Sequence, residues 1–226
     1  DEDLRADRQP EFTQVDIEAS FITEEDIYSL VEDLLAAAFK ASRGVEVSKP
    51  FPRITYQEAM DTYGSDKPDR RYGTEIVDLS DVFATSAFKV FSSTLEKGGK
   101  VRAINAKGFA TVTTGQVKRL EEIAKEAGAG GLAYIKVEGG EWKSPIVKFF
   151  SDAEKAALTE RLGIEEGDLV LFGCDQWAVC CEVLGRLRLE VASMCGLTKD
   201  MDDVLDFLWV VDFPLLGYDA EEGKWN

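Results

Sequence analysis

Phe12, Gln14, Asp16 and Glu18 occupy every second position of the stretch FTQVDIEASF, so in an extended chain they share one face. An aromatic ring, an amide and two carboxylates offer a stacking surface, a hydrogen-bond fork and a cation site. Together these suit a small ligand that carries a flat ring and an ammonium group. The same alternation also describes the solvent face of an ordinary half-buried strand. Upstream, Arg5 and Arg8 stand among acids in DEDLRADRQPE. Guanidinium forks recognise phosphate, and neighbouring carboxylates discourage indiscriminate polyanion binding; a solvated charged turn is the competing description. Chemistry on a nucleotide needs both features, a stacking surface and phosphate clamps.

The chain has no histidine, which removes Ser-His and Cys-His nucleophiles and histidine-rich metal sites together. Carboxylates, arginines, amides and aromatic rings remain. A net charge of −17 argues against a simple polyanion-binding protein, because such binding relies on Lys and Arg neutralising phosphates. The charge is uneven: residues 72–180 carry a net −3 and the rest −14, which marks the middle as a separate module. Cys174, Cys180, Cys181 and Cys195 fall in apolar runs at spacings that fit neither a CxxC motif nor a disulfide ladder. Free buried thiols in a reducing compartment are expected. No signal-peptide pattern or membrane-length apolar run is seen, so the expected location is cytoplasmic.

The elements that position these groups follow from periodicity. Val15, Ile17, Ala19 and Phe21 alternate with the polar set, which predicts a strand over 12–21. Thr23 caps an amphipathic helix, TEEDIYSLVEDLLAAAFKASRG, with Ile27, Val31, Leu34, Leu35, Ala38 and Phe39 as its apolar stripe and Gly44 as terminator. Thr55 and Glu58 form a capping box for a short helix ending at Gly64, before the turn YGSDKPD. Strands are expected at FKVF (88–91), VRAINA (101–106), LAYIKV (132–137), DLVLFG (168–173) and FLWVVDFP (207–214). Helices are expected at 115–127, from the Ser151 cap with Glu154 to Leu162, and at 176–195. The order is strand–helix, insert, helix–strand: an α/β (α+β) chain divided into 1–71, 72–180 and 181–226.

DEDLRADRQPEFTQVDIEASF is similar to the second signature motif of the class II aminoacyl-tRNA synthetases, in its bacterial-type aspartyl form. YGSDKPD (63–69), LAYIKV, LGRLRLEVA (184–192) and FLWVVDFP resemble further blocks of that family in the same order, so the resemblance covers essentially the whole chain. Residues 72–180 resemble the GAD insertion domain shared with subunits of tRNA-dependent amidotransferases. The resemblance implies part of a class II antiparallel sheet with helices, interrupted by a mixed α/β insertion. It implies ATP contact at Asp1, Glu2 and Gln9, with Phe12 under the adenine. Gln14 and Asp16 would hold the amino-acid substrate around its ammonium group, and Arg5 and Arg8 would meet the acceptor end of the tRNA. No catalytic residue and no metal ligand is assigned within the chain.

The implied activity is that of an aspartate–tRNA ligase: L-aspartate and ATP give aspartyl-adenylate, and the aspartate then passes to tRNA. Mg2+ would accompany the ATP, a homodimer is expected, and no membrane is involved. The family's motif arginine would precede Asp1, and its histidine-bearing loop and third motif would follow Asn226, so the chain alone is expected to be inactive. The alternative is a non-catalytic tRNA-binding module in which the insert does the work. Lys136 and Lys148 are either tRNA contacts or solvated charges. Asp212 is either a structural cap or an active-site group. Arg70 stands where relatives more often carry an apolar residue, a departure that bears on the turn.

Overall fold

The computed structural model describes Glu11, residues 13–219 and residues 223–225, and it separates into two compact units, Asp1–Phe51 and Pro52–Asn226. In the first unit α1 spans Glu24–Arg43. The Thr23 N–H and hydroxyl donate to Asp26 at 2.7 and 2.8 Å, closing a capping box, and Gly44 ends the helix in the left-handed region at φ 69°. Glu32 is the one buried residue of this helix, and it accepts from the Phe51 N–H at 3.1 Å. The apolar stripe is only partly covered, with Ile27, Leu34 and Ala38 exposed.

Residues 13–19 form no strand, and Val15 is 68% exposed. Alternation specifies which side chains share a face. A strand also requires a hydrogen-bonded neighbour, and no described segment pairs with this one.

The second unit holds a five-stranded antiparallel sheet in the order β2-β3-β6-β4-β5. Its strands are β2 (Val77–Asp78), β3 (Lys100–Ala106), β4 (Ala133–Glu138), β5 (Glu141–Lys143) and β6 (Leu169–Asp175). Ile104 lies opposite Leu171, and Ile135 opposite Val170. Even positions of β3 and odd positions of β6 (Ile104, Ala106, Leu169, Leu171) pack under α5 (Thr114–Glu126) and α7 (Trp177–Met194). The opposite face, with Val101, Ala103, Val170 and Phe172, packs against Phe83, Phe91 and Leu158. These come from α3 (Ser80–Phe83), α4 (Lys89–Glu96) and α6 (Asp152–Leu162). Helices on both faces explain why VRAINA and LVLFG read as nearly continuous apolar runs. Capping boxes at Thr113–Gln116 and Ser151–Glu154 start α5 and α6.

FKVF proves helical: Phe88 is the N-cap of α4, and its ring meets that of Phe91 edge-on at 4.8 Å. A four-residue apolar run carries no period long enough to separate a strand from a buried helix. The run FLWVVDFP yields only β7 (Trp209–Val211), which pairs in parallel with β1 (Arg53–Thr55), Ile54 facing Val210. α2 (Tyr56–Tyr63) follows β1 directly, started by the predicted Thr55–Glu58 box. The tail carries a small hairpin, β8 (Tyr218–Asp219) with β9 (Lys224–Trp225).

Asp168 ties the end of β3 to the loop that precedes β6. It is 2% exposed and accepts from Asn105 Nδ2 at 2.8 Å, from the Glu165 N–H at 2.9 Å and from the Gly108 N–H at 3.0 Å. Burial pushes its pKa up, but these hydrogen bonds and Lys107 together outweigh burial and hold it below the ordinary carboxylate range.

Candidate functional site

Asp1, Glu2, Arg5, Arg8, Gln9 and Phe12 lie outside the described residues. Gln14 and Asp16 are described: both are exposed, in the unpaired stretch 13–19, and neither bonds to another described residue. An amide and a carboxylate two residues apart, with open valences, retain the capacity to accept hydrogen bonds from an ammonium group.

The turn from Tyr63 to Thr74 is the most heavily tied polar segment of the second unit. Gly64 caps α2 at φ 70°, and a Cβ there would stand 2.3 Å from the Cys181 carbonyl oxygen. Reciprocally, a Cβ at Gly185 would stand 2.6 Å from the Gly64 oxygen, so α2 and α7 touch backbone to backbone. Beyond this contact, Arg71 forks onto Asp69 at 2.9 and 2.7 Å and reaches the Met201 carbonyl at 3.1 Å. The Arg71 hydrogen bond holds the Asp69 carboxyl below its usual pKa. Arg70 makes a two-pronged pair with Asp206, which gives the sequence departure at this position a partner.

Arg188, 1% exposed in the middle of α7, closes the turn from beneath. Its Nε donates to the Thr74 carbonyl at 2.6 Å, and its Nη2 donates to the Gly73 and Asp69 carbonyls at 2.8 and 3.1 Å. The Tyr63 and Tyr72 rings lie 5.0 and 5.1 Å from the guanidinium carbon. Gly73 and Thr74 both hold left-handed φ values, 68° and 58°, and the arginine pins the carbonyls of both. Burial pulls the Arg188 pKa down. No described carboxylate lies within ion-pair distance of it. Sequence reasoning assigned this residue no role. The available signal was an arginine on the helical stripe of LGRLRLEVA that also carries Leu184, Leu187 and Val191.

A second polar junction ties α2 to β3 and α7. Asp61 accepts from Trp177 Nε1 at 2.7 Å and from Gln57 Nε2 at 2.8 Å, and it pairs with buried Arg102 at 3.2 Å. Arg102 also reaches the Cys181 sulfur at 3.3 Å. All four cysteines are free, and only Cys180 and Cys181 are fully buried. Burial pushes the Cys180 thiol up to about 12, so it is a packing group and not a nucleophile. Lys136 donates to the Val112 carbonyl at 2.6 Å, while the Lys148 ammonium sits 5.0 Å from the Phe149 ring. Asp212 is exposed at φ 56°, a conformation that aspartate tolerates better than most residues.

Among the described residues no cluster of three or more Asp, Glu, Cys or His side chains is arranged to hold a metal ion, and no helix is long and apolar enough to cross a membrane.

The family model for class II tRNA synthetases (D, K and N) matches residues 1–224. The chain is 55% identical over 228 residues to an aspartate–tRNA(Asp/Asn) ligase of Opitutus terrae, covering all of this chain and 38% of that protein. It is 53% identical over 226 residues to an aspartate–tRNA ligase of Geobacillus kaustophilus, again with 38% of the relative covered. An aspartate–tRNA(Asp/Asn) ligase of Bacillus subtilis is 49% identical over 225 residues, 38% of its length. The chain therefore spans well under half the length of these relatives.

Proposed function

The chain belongs to the class II tRNA synthetases of the D, K and N group, and from that premise we propose that it is part of a bacterial-type aspartate–tRNA ligase. In the proposed reaction a carboxylate oxygen of L-aspartate attacks the α-phosphorus of ATP. A new O–P bond forms as the bond to pyrophosphate breaks. A terminal ribose hydroxyl of tRNA then takes the aspartyl group from the adenylate and AMP leaves. The protein's contribution is positional and electrostatic, and no side chain of this sequence forms a covalent bond.

Each residue of the opening block has a proposed part. Phe12 stacks under the adenine while Asp1, Glu2 and Gln9 contact ATP. Gln14 and Asp16 hold the substrate ammonium, a role for which their open valences are suited. Arg5 and Arg8 meet the phosphates of the tRNA acceptor end. Mg2+, when bound with ATP, would offset phosphate charge; the described residues supply no ligand cluster for it. Residues 72–180 are proposed as the insertion domain, with α7 leading from its core back to the flank. The protein would act in the cytoplasm as a homodimer.

The observation that carries this proposal is identity above 50% to proteins named as aspartate–tRNA ligases over the full chain. Its test is Asp16→Asn in the whole protein. Removing one charge from a desolvated ammonium contact costs about 2–5 kcal/mol, so aspartate-dependent adenylation should fall roughly 100-fold in kcat/KM. The KM for ATP should change little. Unaltered aspartate kinetics in the variant would remove Asp16 from the site.

A further inference from the structure

We infer that a small cavity between the 64–69 turn and α7 binds one phosphate group, held by Arg188, Lys67 and Ser65; this is independent of the ligase proposal. The cavity, about 110 Å³, is lined among others by Ser65, Lys67, Pro68, Glu182, Gly185 and Arg188. Pockets that enclose whole small molecules are larger, about 300–1,000 Å³, so a single oxyanion group fits here and a nucleotide does not.

Its electrostatics call for an anion. Buried charges are normally paired, because an isolated one is costly to desolvate. Arg188 is 1% exposed, and its hydrogen bonds and close ring contacts go to carbonyls and tyrosines; Asp69 and Glu75 are near enough to be felt electrostatically, but neither forms an ion pair with it. Nε and Nη2 carry its three hydrogen bonds, and Nη1 donates to no described residue. Lys67 is exposed at the rim, and its ammonium has no described partner. The Ser65 hydroxyl accepts from the Lys67 N–H at 3.1 Å and keeps its own proton to donate.

The nearby carboxylates act on Arg188 only at a distance: Asp69 and Glu75 raise its pKa through space without an ion pair. Asp69 is occupied by the Arg71 fork, and Glu182 accepts from Arg186 at 2.6 Å. In a chain of net charge −17, residues 65–71 and 182–189 hold Lys67, Arg70, Arg71, Arg186 and Arg188 against Asp66, Asp69 and Glu182. Three separate donors match the three free oxygens of a terminal phosphate better than the two of a carboxylate.

The test is thermal unfolding of the 226-residue chain in inorganic phosphate against chloride at equal ionic strength. Saturable stabilisation by phosphate is expected, with affinity at least about tenfold weaker in Lys67→Ala and in Ser65→Ala. Lys67 is a surface residue, so its variant should melt normally in chloride; Lys67→Met, which keeps the aliphatic stem, replaces it if it does not. A short single-stranded RNA separates the sources of the phosphate. RNA binding that phosphate competes away and Lys67→Ala weakens would identify a nucleic-acid backbone. Binding of inorganic phosphate alone would identify the free ion, and both results support the site. Absence of phosphate-specific stabilisation, or stabilisation undiminished in both variants, would overturn it.

Discussion

Arg188→Met sets two physical effects against each other. Removing a buried guanidinium that lacks a carboxylate partner relieves a desolvation cost, and buried charges replaced by apolar groups of similar size are often neutral or better. Against this, the Thr74, Gly73 and Asp69 carbonyls lose their donor at 2.6, 2.8 and 3.1 Å. An acceptor left without a partner costs about 1–3 kcal/mol. None of these three residues is fully buried, so water can partly replace the guanidinium and the low end applies, about 1 kcal/mol each. The methionine also loses two aromatic contacts of about 0.5–1 kcal/mol that a thioether only partly restores. A net loss of about 3 kcal/mol follows for unfolding of the Pro52–Asn226 unit. Urea titration followed by tryptophan fluorescence would read it as a lower midpoint. Cleavage by a protease should also become faster within 65–74, where Gly73 and Thr74 lose their tether. A variant within about 1 kcal/mol of the parent, or more stable than it, would mean that the charge is a net cost and the tether idle.

Three further outcomes are expected. Asp168→Asn should lower stability by about 2–4 kcal/mol at pH 7, since it turns an acceptor of three donors into a partial donor. Because the folded pKa of Asp168 is depressed, its contribution is full above the unfolded value of about 3.9 and is lost as pH falls through the folded value. The gap between parent and variant in urea titrations should therefore narrow on acidification, and a gap constant with pH would contradict the assignment. Gly185→Ala should cost about 1–3 kcal/mol, since the new methyl meets the Gly64 backbone oxygen at 2.6 Å and the helix must move; an unchanged melting temperature would deny the close contact. Cys180 should resist a thiol reagent at pH 8 until the chain unfolds, and rapid labelling in the native state would contradict its burial.

What the sequence made legible was local. The helix starts at Thr23, Thr55 and Ser151 are capping boxes within four residues, while the box at Thr113 went unread; β3, β4 and β6 announce themselves as apolar runs bounded by turns. What it hid was non-local. The alternation of 13–19 set side-chain direction without supplying a strand neighbour, and FLWVVDFP pairs only over Trp209–Val211. FKVF resolved into a helix whose phenylalanines meet Phe83 close by in the chain and Phe150 from a distant segment. Of the candidate site, residue type and spacing only suggested the set from Phe12 to Asp16; Gln14 and Asp16 are exposed and Phe12 lies outside the described residues. The Arg188 tether could not, because its partners sit 114 to 119 residues away in the chain.

The central claim is that this stretch serves an aspartate–tRNA ligase. The most direct test is pyrophosphate exchange into ATP by the purified whole protein, assayed with each amino acid in turn. Exchange with L-aspartate alone is predicted, reduced roughly 100-fold in Asp16→Asn. Exchange driven by lysine or asparagine, or by no amino acid, in a folded preparation would contradict it.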